Sequence, residues 1–287
     1  MIVKKIIPSG YCKGVVNAIN IATKTKKENP NTNIYILGMI VHNTYVTNKL
    51  NELGIITLDD TNKTKDKLLD EINEGIVILT AHGTADKIKE KAINKGLKVV
   101  DAACDDVLKT RKIIIEHLKE GYDVIYFGVK NHPESDAILS ISDSIHLITN
   151  INDINNLNIK NSKIVVTNQT TMSYIELENM INEIKKKYKD VKIIKEICNA
   201  TSSRQLAISS IKDADILYVV GDLKSNNTNK LVEIAKHNIK NVFLINTVKD
   251  INVCDLYKDA KVYISAGAST PPELIDEVYN YLNHLTF

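Results

Sequence analysis

Short apolar runs rich in β-branched residues alternate with longer helix-like stretches along the whole chain. The opening segment Ile2–Ile7 alternates like a first strand. Nine further runs are predicted as strands: Ile34–Leu37, Ile76–Leu79, Lys98–Val100, Val124–Phe127, Lys163–Val166, Ile193–Ile197, Ile216–Val220, Val242–Ile245 and Val262–Ser265. Strands that alternate with helices are typical of parallel sheets covered by helices. The pattern therefore predicts the α/β class.

The pattern repeats three times, and each repeat has a cysteine where a strand gives way to a helix. Cys12, Cys104 and Cys198 lie at nearly equal intervals of 92 and 94 residues. One thiolate ligand in each third of the chain implies a shared central site. Three α/β units are predicted, at residues 13–103, 104–197 and 198–287, and the N-terminal strand within residues 1–12 is expected to join the third unit, which would bring the chain termini together.

Each third also has two polar clusters at strand ends, where reactive groups gather in parallel sheets. The first clusters, which begin 27 to 29 residues after each cysteine, are Val41–Thr44, Asn131–Glu134 and Ser225–Thr228. The second clusters, which begin 64 to 69 residues after each cysteine, are Ala81–Thr84, Asn168–Thr171 and Ala266–Thr270. A lone Ser, Thr or Asn before a helix is most often a cap, but capping does not explain the same order of residue types in all three repeats. We expect the clusters to converge on one axis.

Composition and charge exclude several functional classes. The chain has 287 residues, 44% hydrophobic and 25% charged, with a net charge of +2, which suits two or three small globular domains. The lysine-rich segments 24–27 and 185–189 fall on helical polar faces, and three Phe with no Trp leave little for base stacking, so no nucleic-acid partner is expected. The apolar runs are far below bilayer length and the start lacks a signal-peptide pattern, so we expect no membrane partner and a cytoplasmic location.

The cysteines are poor disulfide candidates in a reducing cytosol. Three converging thiolates could hold zinc or an iron–sulfur cluster, although structural zinc sites generally use closely spaced cysteine pairs, which this sequence lacks. A four-iron cluster usually takes four cysteines, so three would leave one iron open to substrate. An open iron in a cluster that can also supply electrons suits the reductive removal of an oxygen substituent. Cys254 lacks the repeated context and is expected to be a partly buried small residue.

The polar clusters indicate an anionic substrate. Histidines, hydroxyls, amides and helix N-termini form a donor-rich set suited to phosphate oxygens, and no Walker or G-x-G-x-x-G motif indicates a nucleotide. Glu134 is the only carboxylate in the six clusters, so it is the leading acid if the substrate must be protonated. The candidate donors are His42, His82, His132, Thr170, Ser225, Asn226, Asn227 and Ser269.

Ten short motifs occur in order along the chain: Gly10–Val15, Val41–Asn43, Ala81–Gly83, Asp101–Cys104, His132–Glu134, Gln169–Thr171, Ile197–Thr201, Arg204–Gln205, Ser225–Asn227 and Ala266–Pro271. Together these motifs resemble the 4-hydroxy-3-methylbut-2-enyl diphosphate reductase family, the last enzyme of the non-mevalonate isoprenoid pathway, over essentially the full chain. The resemblance implies a trefoil of three pseudo-symmetric α/β domains, each a small, mostly parallel sheet flanked by helices, around a central cluster.

The resemblance also implies the chemistry. One [4Fe-4S] cluster would have three cysteine ligands, Cys12, Cys104 and Cys198, and one open iron for the allylic hydroxyl. Glu134 would supply protons, and two electrons from a ferredoxin or flavodoxin type donor would convert the allylic diphosphate to isopentenyl and dimethylallyl diphosphate. The diphosphate and hydroxyl contacts would be His42, His82, His132, Thr170, Ser225, Asn227 and Ser269, with Asn226 in place of a serine common in the family.

Two alternatives stay open at this point. One is a non-catalytic iron–sulfur redox sensor or carrier on the same scaffold, and the other is a zinc hydrolase that uses the three cysteines and a histidine. Glu134 favours the enzyme, because a sensor has no reason to keep a proton donor among anion ligands. Broad visible absorption after anaerobic purification would distinguish the iron–sulfur protein from a zinc protein.

Overall fold

The computed structural model describes residues 1–286, which form twelve strands and eleven α-helices. The strands are β1 (Ile2–Lys5), β2 (Ile34–Leu37), β3 (Ile55–Leu58), β4 (Ile76–Leu79), β5 (Lys98–Asp101), β6 (Asp123–Phe127), β7 (Ile145–Ile148), β8 (Ile164–Asn168), β9 (Val191–Ile193), β10 (Ile216–Val220), β11 (Asn241–Ile245) and β12 (Lys261–Ala266). The helices are α1 (Lys13–Glu28), α2 (Thr44–Glu52), α3 (Lys65–Asp70), α4 (Asp86–Asn94), α5 (Asp105–Lys119), α6 (Pro133–Leu139), α7 (Ile151–Asn156), α8 (Tyr174–Lys187), α9 (Asn199–Ser209), α10 (Asn226–Ala235) and α11 (Pro272–His284).

The strands form three parallel sheets of four strands each. Their orders are β3-β2-β4-β5, β7-β6-β8-β9 and β11-β10-β12-β1. In the first two sheets, the strand that comes second along the chain lies at one edge and is followed by the first, the third and the fourth. The last sheet has the same order for β11, β10 and β12, and β1 takes the fourth place beside β12. The predicted α/β class, with three small parallel sheets flanked by helices, is confirmed.

The chain divides into two compact units. The first unit combines residues 1–15, residues 42–46 and the chain from Asn199 onward, and it contains the β11-β10-β12-β1 sheet. The second unit combines residues 16–41 and 47–198 and contains the other two sheets. The division at residues 13–103, 104–197 and 198–287 stays a prediction.

The interior strands explain why each sheet is stable. Every residue of β4, β8 and β10 is buried, as expected where helices cover both faces of a parallel sheet. The largest fully buried side chains include Tyr126 and Tyr218 in β6 and β10. Each fully buried large apolar side chain contributes about 1.5–3 kcal/mol. These strands hold the polar residues that follow their carboxyl ends at fixed places.

The strand predicted at Ile193–Ile197 is wrong in its extent, because β9 ends at Ile193. Its neighbour β8 ends at Asn168, and there the side-chain Oδ1 of Asn168 accepts the N–H of Glu196 at 2.9 Å in place of a ladder carbonyl. Ile194 still donates to the β8 carbonyl of Val166, whereas the N–H groups of Glu196 and Cys198 donate to the Asn168 side chain and to the Thr170 carbonyl beyond β8. That departure from the sheet leads the chain into Cys198.

Candidate active site

The three repeated cysteines occupy equivalent places, each directly before a helix. Cys12 precedes α1, Cys104 precedes α5 and Cys198 precedes α9. All three are partly buried and none forms a disulfide. The N–H of Val15 points at the Sγ of Cys12 at 3.4 Å, as helix N-termini do when they stabilise a thiolate. The donor set therefore has the chemistry that soft metal centres require.

The same backbone hydrogen bond fixes each cysteine. The N–H of Cys12 donates to the carbonyl of Ala268 at 3.1 Å, that of Cys104 to Ala81 at 2.9 Å, and that of Cys198 to Thr170 at 3.0 Å. Each acceptor lies in one of the second polar clusters predicted from the sequence. The same backbone hydrogen bond therefore joins a cysteine to a second polar cluster in all three repeats.

Cys254 differs from the other three cysteines. It lies in a short 3₁₀ turn, Val253–Asp255, and it is exposed. The expectation of a partly buried residue is wrong, because this turn lies outside the strands and α-helices and leaves Cys254 exposed.

Two predicted histidines lie against each other in the second unit. The rings of His82 and His132 meet edge to face, with centroids 5.6 Å apart and planes at 88°. His132 caps α6, and its Nδ1 accepts the N–H of Glu134 at 3.1 Å. That contact assigns the proton of a neutral His132 to Nε2. His132 is buried, so its orientation is fixed by the fold.

Glu134 lies beside Thr170 and is only 2% exposed. Its Oε1 accepts the N–H of Thr170 at 2.8 Å, and its Oε2 lies 3.0 Å from the Thr170 hydroxyl. Burial raises the pKa of Glu134 to about 7, against the opposing effect of the hydrogen bonds from Thr170. A carboxyl group with a pKa near neutrality can both hold and release a proton, as a general acid must.

The Tyr126 hydroxyl is a further buried group near Glu134. It lies within electrostatic range of Glu134 and Ser135 without a hydrogen bond of good geometry. Burial raises the pKa of Tyr126 well above its ordinary value, so the phenol stays protonated. It adds no charge to the surroundings of the acid.

Gln169 organises this part of the site, although sequence reasoning did not select it. Its Oε1 accepts the N–H of Val129 at 2.9 Å and the hydroxyl of Ser135 at 3.1 Å, and its Nε2 donates to Thr171 at 2.9 Å. Gln169 is fully buried. It therefore ties the segment after β6 to the segment after β8, which carry Glu134 and Thr170.

Lys65 is a second residue that sequence reasoning missed. Its side chain is partly exposed, but its amine lies 3.2–3.4 Å from the Thr80 hydroxyl, the Thr84 hydroxyl and the Gly83 carbonyl. Burial lowers the pKa of Lys65 to about 8. Nearby carboxylates oppose this shift, and Asp136 has the largest opposing effect. In the sequence it stands among other lysines of a polar segment, so no local signal distinguished it.

In the first unit, the remaining predicted donors gather around the start of α10. Ser225 caps this helix by accepting the N–H of Thr228 at 3.3 Å, and Asn226 is its first residue. Asn227 is buried, and its Oδ1 accepts from the Thr201 hydroxyl at 3.2 Å. Within residues 1–286, the buried Nδ2 of Asn227 has no hydrogen-bond partner. A buried amide with an unused donor at a helix N-terminus is suited to bind an anion.

Ser269 and His42 also meet in the first unit, through the backbone of the histidine. The hydroxyl of Ser269 donates to the His42 carbonyl at 2.9 Å. The loop of Ser269 approaches α10 closely at Gly267, where a β-carbon would stand 2.0 Å from the Oγ1 of Thr228. Only glycine permits that approach, which brings the Ser269 loop beside the helix start.

Within residues 1–286, no group of three or more His, Cys, Asp or Glu side chains is arranged to hold a metal ion directly. In a four-iron cluster, the cysteines bind different irons, so the ligands of a cluster need not meet at one point.

No helix among the described residues is long and apolar enough to span a bilayer.

Comparison with known proteins identifies the family. Residues 3–283 match the LytB protein family. A relative from Geobacillus kaustophilus, named 4-hydroxy-3-methylbut-2-enyl diphosphate reductase, is 44% identical over 98% of this chain and 90% of its own length. A relative from Bacillus cereus with the same name is also 44% identical over the same shares.

Solved structures agree with the sequence comparison. The E-1-hydroxy-2-methyl-but-2-enyl-4-diphosphate reductase from Plasmodium falciparum superposes with a TM-score of 0.91 at 33% identity, covering 100% of this chain and 89% of that one. A second structure, the (E)-4-hydroxy-3-methyl-but-2-enyl diphosphate reductase described as the terminal enzyme of the non-mevalonate pathway, gives a TM-score of 0.70 at 30% identity, covering 99% of this chain and 100% of that one. The chain therefore belongs to the 4-hydroxy-3-methylbut-2-enyl diphosphate reductase (LytB) family of iron–sulfur oxidoreductases.

Proposed function

We propose that this chain reduces 4-hydroxy-3-methylbut-2-enyl diphosphate to isopentenyl and dimethylallyl diphosphate. Two electrons and two protons enter, the allylic C–O bond breaks, the hydroxyl leaves as water and the carbon chain gains one hydrogen. The observation that carries the proposal beyond family membership is the buried Glu134–Thr170 pair, whose acid has a pKa of about 7. A redox sensor or carrier would need the cysteines without such an acid, and the named relatives give that alternative no support.

Cys12, Cys104 and Cys198 are the proposed ligands of one [4Fe-4S] cluster with one open iron. The chemistry of these residues fits, because each is a thiol at a helix start held by the same kind of backbone bond. When bound, the cluster supplies electrons and a Lewis-acidic site for the substrate hydroxyl. A ferredoxin or flavodoxin type donor would provide the electrons, and the reducing cytoplasm is the proposed location because it keeps the thiols reduced.

The diphosphate is proposed to bind residues at strand and helix ends: His42, His82, Ser225, Asn226, Asn227 and Ser269. The α10 N-terminus supports this assignment, because oriented N–H groups and the helix dipole favour anions. The buried Nδ2 of Asn227 offers a donor that no described protein group uses.

Glu134 is the proposed proton source, with Thr170 and His132 as its partners and as contacts to the hydroxyl-bearing end of the substrate. The Thr170 hydroxyl, 3.0 Å from Oε2, is placed to pass a proton from the carboxyl group. His132 fixes the backbone of Glu134 through its Nδ1. Burial of Glu134 limits the direct access of bulk water to the acid.

The test is anaerobic turnover of the allylic diphosphate with a chemical reductant, with both five-carbon products measured by chromatography. We expect the wild-type protein and the Cys254→Ser control to form products, and Cys104→Ser to lose both turnover and visible absorption. A wild-type protein with the visible spectrum of a cluster but no product would refute the reaction. Normal turnover by Cys104→Ser would refute the ligand assignment.

A further inference from the structure

Asp222 makes an unusual set of contacts in the loop between β10 and α10. Its Oδ2 accepts the N–H of Thr44 at 2.9 Å and the Thr44 hydroxyl at 2.6 Å. Its Oδ1 accepts the N–H of Lys224 at 2.9 Å. Thr44 itself is exposed, but Asp222 is only 8% exposed. The two residues are 178 positions apart in the sequence, so this Asp222–Thr44 contact depends on the tertiary fold.

The contact adds a charged acceptor to the N-terminus of α2, beside the local cap that Asn43 provides. Thr44 is the first residue of α2, and the first turn of that helix contains no acidic residue. Asn43 accepts the N–H of Val46 at 3.2 Å, and Asp222 accepts the N–H of Thr44. A carboxylate at a helix N-terminus forms a charge-assisted hydrogen bond and complements the helix dipole.

The charge of Asp222 is maintained at neutral pH. Burial alone would raise the pKa of Asp222, but hydrogen bonds from Thr44 and Lys224 outweigh it and hold the pKa below its usual value. An ionised acceptor strengthens each of these hydrogen bonds.

The position of the contact relates it to the candidate site. His42 is two residues before Thr44, and its carbonyl accepts the Ser269 hydroxyl. His42 is therefore bracketed by two hydrogen-bonded ties to the last third of the chain. Residues 42–46 cluster with that part of the chain, whereas residues 16–41 and 47–198 form the other unit. The Asp222 loop also leads directly into Ser225, Asn226 and Asn227.

We propose that Asp222 is a positioning residue, which acts through Thr44 to hold His42 in register with the diphosphate-binding residues at the start of α10. The inference rests on the proposed function and extends it, since neither Asp222 nor Thr44 was among the candidate substrate contacts. A misplaced His42 would weaken diphosphate binding equally in the ground state and in the transition state. Such a loss raises KM more than it lowers kcat.

The test compares Asp222→Asn and Thr44→Val with the wild-type holoenzyme under anaerobic conditions. Thr44→Val removes the hydroxyl at nearly constant volume, and Thr44→Ser keeps it. We expect Asp222→Asn and Thr44→Val each to raise KM about tenfold, with a smaller change in kcat, from loss of a charge-assisted hydrogen bond. Thr44→Ser should recover most of the affinity that Thr44→Val loses, and the double variant should be little worse than the more affected single variant.

Binding of inorganic diphosphate, measured by calorimetry, gives a readout independent of turnover. The control is Asp213→Asn in the same unit, an exposed carboxylate that accepts from Tyr263, and it should bind like the wild type. Unchanged KM and unchanged diphosphate affinity in both test variants would overturn the proposal, even if their thermal stability fell. If Asp222→Asn fails to fold, Thr44→Val and its serine rescue decide the question.

The proposed reaction and the positioning role of Asp222 can fail separately. If the wild type binds diphosphate but shows no turnover, the proposed function fails, and the calorimetric comparison still decides the role of Asp222. If the wild type turns over while both variants match it in KM and diphosphate affinity, only the positioning role fails. A wild-type holoenzyme that neither binds diphosphate nor forms product would overturn both.

Discussion

Replacing Glu134 by Gln should change both the turnover of the enzyme and the pH dependence of its stability. Gln keeps the size of the side chain and can still accept the N–H of Thr170, so we expect the fold to persist. It cannot donate a carboxylic proton at neutral pH. The loss of a positioned general acid costs about 10²–10⁴ in rate, so kcat should fall by that factor.

The stability effect follows from the raised pKa. Burial raises the pKa of Glu134 from 4.5 to about 7, and one unit corresponds to about 1.4 kcal/mol. Because the folded-state pKa lies above the unfolded-state value, this group's contribution to stability is fully present below pH 4.5 and is lost as pH rises through 7. The wild type should therefore lose roughly 3 kcal/mol relative to Glu134→Gln between pH 4.5 and pH 8.

The assay is anaerobic urea unfolding of the cluster-loaded proteins between pH 5 and 8.5, with kcat measured across the same range. The control is Glu116→Gln, at an exposed position on α5, which should follow the wild type in both measurements. Wild-type kcat should fall above about pH 7, where Glu134 loses its proton. Parallel stability curves for wild type and Glu134→Gln, or a kcat of Glu134→Gln close to the wild-type value, would refute the reasoning.

Three further predictions concern residues around the site. The amine of Lys65 should titrate with a midpoint of about 8 by ¹⁵N NMR. Because this folded-state pKa lies below the unfolded-state value of 10.5, the contribution of Lys65 to stability should rise between pH 8 and 10.5. A midpoint above about 10 would contradict the burial of the amine. Gly267→Ala should destabilise the fold by about 1–3 kcal/mol in urea unfolding, because the new β-carbon meets Thr228, and Thr228→Ala should recover part of that loss; a neutral Gly267→Ala would show that the approach is not tight. Gln169→Leu should cost about 2–4 kcal/mol, because it leaves Val129 N–H and the Ser135 and Thr171 hydroxyls without their partner; unchanged stability would mean that those groups find other partners.

The buried interior strands were predictable from the sequence, and so were most of the edge strands, but two edge strands were not. Ile34–Leu37, Ile76–Leu79 and Ile216–Val220 have the predicted bounds, because helices cover both faces of these interior strands and the sequence is continuously apolar. The edge strands β3 and β7 were missed. Their burial is mixed, and residues such as Thr57 and His146 interrupt the apolar run.

The spacing of the cysteines and clusters predicted a threefold register, and one recurrent backbone bond accounts for it. The N–H of each cysteine donates to a carbonyl of a second polar cluster: Cys12 to Ala268, Cys104 to Ala81 and Cys198 to Thr170. Cys104 and Cys198 use the cluster of the preceding repeat, and Cys12 uses the cluster of the last repeat. Local patterns cannot reveal such contacts, because the partners lie far apart in the sequence.

The supporting residues were invisible for the same reason. Lys65 has the sequence context of a solvated lysine, and Asp222 that of an ordinary loop carboxylate. Their roles arise only when the fold brings Gly83 to one and Thr44 to the other. Sequence motifs therefore predicted the candidate ligands and donors, while the groups that orient them needed the tertiary structure.

The most direct test of the central claim is the electron balance of the anaerobic reaction. Reduced viologen is supplied to the cluster-loaded protein with the allylic diphosphate, and oxidised viologen and the two five-carbon products are measured together. The account predicts two electrons consumed for each molecule of isopentenyl or dimethylallyl diphosphate formed. Viologen oxidation without those products, or no substrate-dependent oxidation, would contradict it.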